Sequence, residues 1–324
     1  MKIRFLIILL FFISFTYSQN SKQLIDQSIL FLKNNDNLKF DQTRDKVWVA
    51  FLKENIPYYN TAIENIKKKQ YPDAFKNLDS LTSEDYFLDT ILADKNFSAL
   101  HHLDGWKKFT HQIKAKKSNY NNDVRLKLLD VQSKDQSIRL IYQELKKTYT
   151  DDNDLVKSAA KKMKKIDLES ADAVAKIVNK YGWLGKDKIG KEANETLFLG
   201  IQHIDDLVVQ SKYLPVVKDA VKKGDAEPWH LAFLTDRILM NQGKKQVYGT
   251  QKILTKNPET SYIIPLENPE KVDELRKEIG LDSLNDDLQE DGLSWNLEDY
   301  KKDLPRIEKL YKERIEKLSK NKSL

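Results

Sequence analysis

The segment AFLTDRILMNQGKKQVYGTQ, Ala232 to Gln251, holds the change of period that decides the fold. Up to Gln242 its apolar residues recur at helical spacing. Trp229, Ala232, Phe233 and Met240 share one face, and Leu231, Leu234 and Ile238 cover the other side. Gly243 interrupts the run. Beyond it, Lys245 to Leu254 and Thr260 to Leu266 are rich in β-branched and aromatic residues. They flank Lys256-Asn257-Pro258-Glu259, a turn composition, so a β-hairpin is expected at about 245–266. Helical periodicity dominates the rest of the chain. With only 10 glycines and 8 prolines, a turn-rich all-β fold is disfavoured. The expected class is mainly α: a helical-hairpin, tetratricopeptide-like N-terminal region, then a helical domain with one β-hairpin.

The first 18 residues read as an export signal, expected as a segment of their own (1–18). Lys2 and Arg4 form a basic start, Phe5 to Ile13 an apolar core, and Ser14 to Ser18 a polar exit with small residues before a cut ahead of Gln19. The apolar stretch is well short of the ~20 residues a spanning helix needs. The expected location is therefore periplasmic or secreted, with no membrane span. No cysteine occurs in the 324 residues, which excludes disulfide staples, thiolate nucleophiles and thiolate metal sites. The formal charge of +6 falls to +4 once Lys2 and Arg4 leave. Lysines alternate with acids, as in RIEKLYKERIEKL, which describes a solvated surface and argues against nucleic acid as a partner.

Three regions follow. In the first, about 19–120, Tyr58 to Lys69 reads as one helix and Asp73 to Leu81 as another, separated at Gln70-Tyr71-Pro72. Two short helices with small residues at their crossing resemble a tetratricopeptide-type hairpin, a unit suited to a protein partner. A lone unit cannot bury its own face, so Ser21 to Leu32 and Thr43 to Lys53 are expected to cover it. In the second region, about 121–290, helices are expected at Lys127–Thr148, Asp154–Lys165, Glu169–Tyr181, Glu192–Ser211, Pro215–Lys223 and Ala226–Gln242, before the hairpin. Asp151 to Asp154 resembles part of a calcium loop but lacks its glycine and closing glutamate, and reads as a helix N-cap. The third region, about 291–324, is an amphipathic helix. Tyr300, Leu304, Ile307, Tyr311, Ile315 and Leu318 form a stripe that docks on its own domain or pairs with a second copy.

The candidate site starts from Asp236 and Arg237. A helix that is apolar nearly all round is buried, so neither is an ordinary surface charge. One reading makes Asp236 a ligand or base and Arg237 an anion clamp; the other makes both partners in buried structural ion pairs. His203, beside Gln202 and Asp205, is expected on the edge of a helix, as a structural group or as a base. His203, Asp205, His230 and Asp236 make an acceptable zinc set by residue type, but no metal-binding spacing such as HExxH occurs and no cofactor is expected. If the QVYGTQ segment is a strand, Gln246, Tyr248 and Thr250 share one face, with Val247, Gly249 and Gln251 on the other. Such a row suits a polar small molecule, a sugar or a peptide. Phosphate loops, dinucleotide fingerprints and nucleophile elbows are absent from the sequence.

Several of these pieces occur in a fixed order: DQSIR (Asp135 to Arg139), Gly182-Trp183, Gly190, QHID (Gln202 to Asp205), LTDR (Leu234 to Arg237), QVYGTQ (Gln246 to Gln251), Pro265 and VDELRKEIGL (Val272 to Leu281). Together, over about 135–284, they resemble a bacterial family of unknown function whose hallmarks are a QH-acid motif, a DR and a Q-x-YGTQ. That family usually has Gly-Trp-Pro where this chain has Gly182-Trp183-Leu184. The resemblance implies a mostly helical domain and no established activity. Two functions are consistent with the residues. One is a binding module with a polar pocket around the hairpin, using Gln202, Asp205, Arg237, Gln246, Tyr248, Thr250 and Gln251. The other is a periplasmic hydrolase with His203 as base and Asp205 or Asp236 orienting it or holding a metal.

Overall fold

A computed structural model describes residues 19–255, 260–289 and 291–322. The segment expected as an export signal (1–18) and the turn expected at 256–259 lie outside the described residues. The fold is mainly α with one short antiparallel hairpin, as the periodicity implies. Its contacts divide the chain into two compact units, one running to Gly200 and the other beginning at Ile201. No helix among the described residues is long and apolar enough to cross a membrane.

The first unit opens with α1 (Gln19–Lys33), α2 (Asn37–Arg44), α3 (Val47–Asn55), α4 (Pro57–Lys67) and α5 (Tyr71–Ser83). Pro72 lies in the first turn of α5, where a missing N–H costs nothing. Helices α4 and α5 pack on each other through Tyr59, Ala62, Ala74 and Leu78, all buried. α3 covers α4, and α1 covers α2 and α3. α6 (Asp104–Ser118) leads to the long α7 (Asn122–Thr148), which packs along α8 (Asp154–Tyr181). Of the two segments expected to close the α4–α5 hairpin, Thr43–Lys53 supplies α3 against α4, whereas Ser21–Leu32 packs in α1 on α2, α3, α7 and α8.

Helix α8 is continuous where two helices were expected. The link Ile166-Asp167-Leu168 contains neither glycine nor proline, and buried Ile166 and Ser170 keep the helical stripe facing inward. Its N-cap is Asn153, whose side chain accepts the Leu155 N–H at 2.9 Å, so the acidic run is a cap. α9 (Lys186–Ile189) and α10 (Lys191–Gln202) follow.

A second correction concerns the QHID motif. The single helix expected over Glu192–Ser211 breaks after Gln202, and α11 (Leu207–Lys223) runs straight through Pro215. The break has a local cause. The Asp206 carboxylate accepts the N–H groups of Val208 at 2.8 Å and Val209 at 3.1 Å, starting a new helix in competition with the old one. His203 and Asp205 therefore sit on an interhelical turn rather than a helix edge.

In the second unit, α12 (Pro228–Asn241) packs on α11. The hairpin pairs β1 (Lys252–Ile253) with β2 (Tyr262–Ile263), with Lys252 opposite Ile263 and Ile253 opposite Tyr262. α13 (Val272–Glu278), α14 (Leu284–Gln289) and α15 (Leu297–Lys322) close the unit. Tyr300, Ile307 and Tyr311 of α15 join Met240, Ile264, Leu266 and Leu284 in one buried cluster. The Tyr311 hydroxyl donates to the carbonyl of Met240 at 3.0 Å. The amphipathic stripe of α15 from Tyr300 to Ile315 thus docks within its own unit; the Leu318 side chain lies outside the described residues.

Candidate functional site

The QVYGTQ segment is not a strand. Strand pairing begins only at Lys252, and the five residues before Gln251 wrap around the end of the Asp236 side chain. Asp236 is fully buried on α12. Its Oδ1 accepts the N–H of Val247 at 2.8 Å and is 3.2 Å from that of Tyr248. Its Oδ2 accepts from Tyr248 N–H at 3.1 Å, Thr250 N–H at 3.0 Å and the Thr250 hydroxyl at 2.9 Å. A short loop with three N–H groups converging on one point needs an acceptor at its centre, and a buried carboxylate needs donors; each satisfies the other. Burial pushes the Asp236 carboxyl above its ordinary range, and the Thr250, Val247 and Tyr248 donors pull it back.

Gln246 staples the two ends of the loop. Its Oε1 accepts the Gln251 N–H at 2.8 Å, and its Nε2 donates to the carbonyls of Gln251 at 3.0 Å and Ile264 at 2.7 Å. The Gln246 backbone pairs with Pro265 and Glu267, both at 2.8 Å, in a parallel bridge to Leu266. Gln251 Nε2 reaches the Thr250 hydroxyl at 2.9 Å. Gly249 takes φ +70°, and a Cβ there would sit 3.1 Å from Leu284 Cδ1. The three side chains Gln246, Thr250 and Gln251 are buried and engaged in building the loop, whereas Tyr248 is half-buried.

Arg276 closes the arrangement from α13. It is 2% exposed; its Nη1 donates to the Tyr248 carbonyl at 2.9 Å and its Nε to the Asp282 carbonyl at 2.7 Å. Its Nη2 lies 3.5 Å from Asp287, which also meets buried Lys252 at 3.2 Å; Lys252 pairs in turn with Asp291 at 2.6 Å. Burial pushes the Arg276 guanidinium below its ordinary value, against the pull of Asp287, Asp273, Asp236 and Asp282. Sequence reasoning missed this cation. A signal existed: Val272 and Arg276 are one helical turn apart, so the arginine lies on the apolar stripe of VDELRKEIGL.

Arg237 and His203 are half-buried and Asp205 is exposed. His230 is 1% exposed, its ring edge-on to Trp229 with centroids 4.1 Å apart, and burial pushes its pKa down to about 3. It is a neutral packing group at physiological pH. Among the described residues, His203, Asp205, His230 and Asp236 do not bring three ligand atoms within 4.8 Å of one another, so they do not form the zinc set considered from residue type. Gln202 is 1% exposed, and neither its Oε1 nor its Nε2 has a hydrogen-bonding partner among the described residues. Each unmade bond of this kind costs about 1–3 kcal/mol.

A cleft of about 380 Å³ opens at the base of the hairpin, lined by Gly243, Lys245 and Pro265 on one side and Tyr311, Lys312 and Ile315 of α15 on the other. Glu308 and Glu316 complete its rim, and Glu308 pairs with Lys245 at 2.8 Å. In the first unit, the DQSIR motif sits on α7, where Arg139 joins Asp135 at 3.4 Å to Asp167 of α8 at 2.7 Å.

No curated protein and no solved structure matches the chain. Residues 122–296, a wider span than the ordered motifs, match a sequence family, and over that half of its length the chain belongs to the family described as "Family of unknown function (DUF6624)".

Proposed function

We propose that the protein is an exported binding module that takes a polar small molecule, sugar or peptide in the cleft beside the QVYGTQ loop, while its N-terminal helices contact a protein partner. The cleft carries this reading. Its volume of about 380 Å³ falls within the ~300–1,000 Å³ range of small-molecule sites. An apolar floor of Tyr311, Ile315 and Pro265 under a rim of Lys245, Lys312, Glu308 and Glu316 suits a ligand with a nonpolar face and mixed polar edges. The loop leading from the rim is held by Asp236 and Gln246, so little ordering remains for the ligand to induce.

Binding is favoured over hydrolysis because both oxygens of Asp236 are occupied by loop donors and His230 is a buried neutral group. With Asp236 held by the loop, the hydrolase reading keeps His203 as base with Asp205 as its orienting group. The test is a thermal-shift screen of the mature chain against short oligosaccharides and peptides, repeated on Ile315→Trp, which fills the cleft, and Lys245→Ala. A stabilising compound should lose its effect in both variants. A compound that stabilises them as well as the wild type removes the cleft from consideration. Export is checked by expressing the chain with its own N-terminus and measuring the secreted mass, which should begin at Gln19.

A further inference from the structure

Two buried glutamines flank the turn between α10 and α11, and they differ in one respect. Gln210 is fully buried with its amide satisfied. Its Nε2 donates to the carbonyls of Ile204 at 2.8 Å and Gln202 at 3.2 Å, and its Oε1 accepts from Asn241 Nδ2 at 3.0 Å. Gln202 is 1% exposed, yet both atoms of its amide lack partners among the described residues. The same turn that satisfies one amide leaves the other unmade. Burying a donor and an acceptor without partners destabilises the fold, and an apolar side chain of similar length would avoid that penalty. A group kept in that state is held for something that completes it. His203, next in the chain, is half-buried, and Asp205 on the same turn is exposed.

We propose that Gln202 is the recognition group of a ligand subsite that takes a primary carboxamide. An amide presents a donor and an acceptor in one plane, and a carboxamide answers both with a paired N–H···O bond in each direction. A carboxylate offers only acceptors and would leave Oε1 unpaired; an ammonium offers only donors and would leave Nε2 unpaired. This site rests on Gln202 and the α10–α11 turn and uses no residue of the hairpin cleft, so each reading fails or stands by its own variants.

The experiment uses three probes of matched size on the full mature chain: propionamide, propionate and propylammonium. The Gln202 side-chain NH2 resonances are identified by their loss in Gln202→Met and followed by 15N-1H spectroscopy. Propionamide should shift them in a saturable way while the other two probes leave them in place. Gln202→Met should melt at least about 2 °C above the wild type, because the unmade amide has gone, and should show no propionamide response elsewhere on the turn. A melting temperature below the wild type would mean that the amide is bonded in the free protein, through water, and would overturn the proposal. Equal shifts with all three probes, or none with propionamide, would overturn it as well. Ile315→Trp should leave the Gln202 response intact; its loss there would also count against a separate subsite.

Discussion

The carboxylate of Asp236 accepts both the N–H of Thr250, at 3.0 Å, and its hydroxyl, at 2.9 Å. This ties a helix interior to a loop fourteen positions later and makes the carboxylate the centre about which Val247 to Thr250 are folded. Asp236→Ala removes the acceptor of three N–H groups, that of Thr250 buried and those of Val247 and Tyr248 partly so, and of one buried hydroxyl, so a loss of about 4 kcal/mol or more is expected. Asp236→Asn keeps one oxygen but turns an N–H toward the loop donors, for a loss of about 2–3 kcal/mol. Urea unfolding at neutral pH measures both. An Asn variant as stable as the wild type would contradict the donor arrangement described.

Arg276 holds the far side of the same loop through the Tyr248 carbonyl at 2.9 Å. Arg276→Met leaves the Tyr248 and Asp282 carbonyls unpaired and Asp287 with Lys252 as its remaining cation. A buried charge network that loses one member typically costs about 3–5 kcal/mol, and that range is expected in equilibrium unfolding. Arg276→Lys should recover less than half of it, since an ammonium cannot span the Tyr248, Asp282 and Asp287 acceptors together.

These two residues mark where sequence reading succeeds and where it stops. Period and composition disclose that Asp236 is buried, because an acid inside LAFLTDRILM has apolar neighbours on every side. Its partner is not disclosed, because the donors are backbone N–H groups, which every residue carries and no composition marks. The same limit explains QVYGTQ. Its alternating polar residues mimic a strand, yet the chain uses Gln246 and Thr250 to satisfy itself and Gly249 to turn at positive φ. At QHID, helical spacing continued past Gln202 in the sequence, and only the capping competition from Asp206 ended it. The α4–α5 hairpin and the stripe of α15 were legible because each depends on the spacing of apolar residues and little else.

Gly249 gives a test of backbone geometry independent of charge. At φ +70° an L-residue is strained, and the new Cβ would press on Leu284 Cδ1 at 3.1 Å. Gly249→Ala should cost about 1–2 kcal/mol. Part of that is the contact with Leu284, so Gly249→Ala combined with Leu284→Ala should lose less than the sum of the two single losses. A strictly additive double mutant would assign the whole cost to the backbone.

The pH dependence of stability should carry the signature of Glu192, at the start of α10 in the first unit. The residue is 9% exposed. Burial pushes its pKa up from 4.5 to about 8; the Arg125 charge opposes the rise, and the carboxylates of Asp85, Glu195 and Asp89 reinforce it. The surrounding charges are themselves fixed: Asp85 accepts the Lys191 N–H at 2.8 Å and pairs with Lys116 at 2.6 Å, while Arg125 pairs with Asp89. Below pH 4.5 Glu192 is protonated in both folded and unfolded chains and contributes nothing to pH dependence. Between 4.5 and about 8 the unfolded chain releases a proton that the folded chain retains, so stability falls as pH rises. Above about 8 both forms are ionised and the loss is complete, at roughly 5 kcal/mol. Glu192→Gln carries no such term. Relative to wild type, its stability should therefore grow by several kcal/mol between pH 5 and pH 9. Denaturant unfolding at those two pH values reads the difference, and a constant offset between the two proteins would show that Glu192 titrates normally in the folded chain.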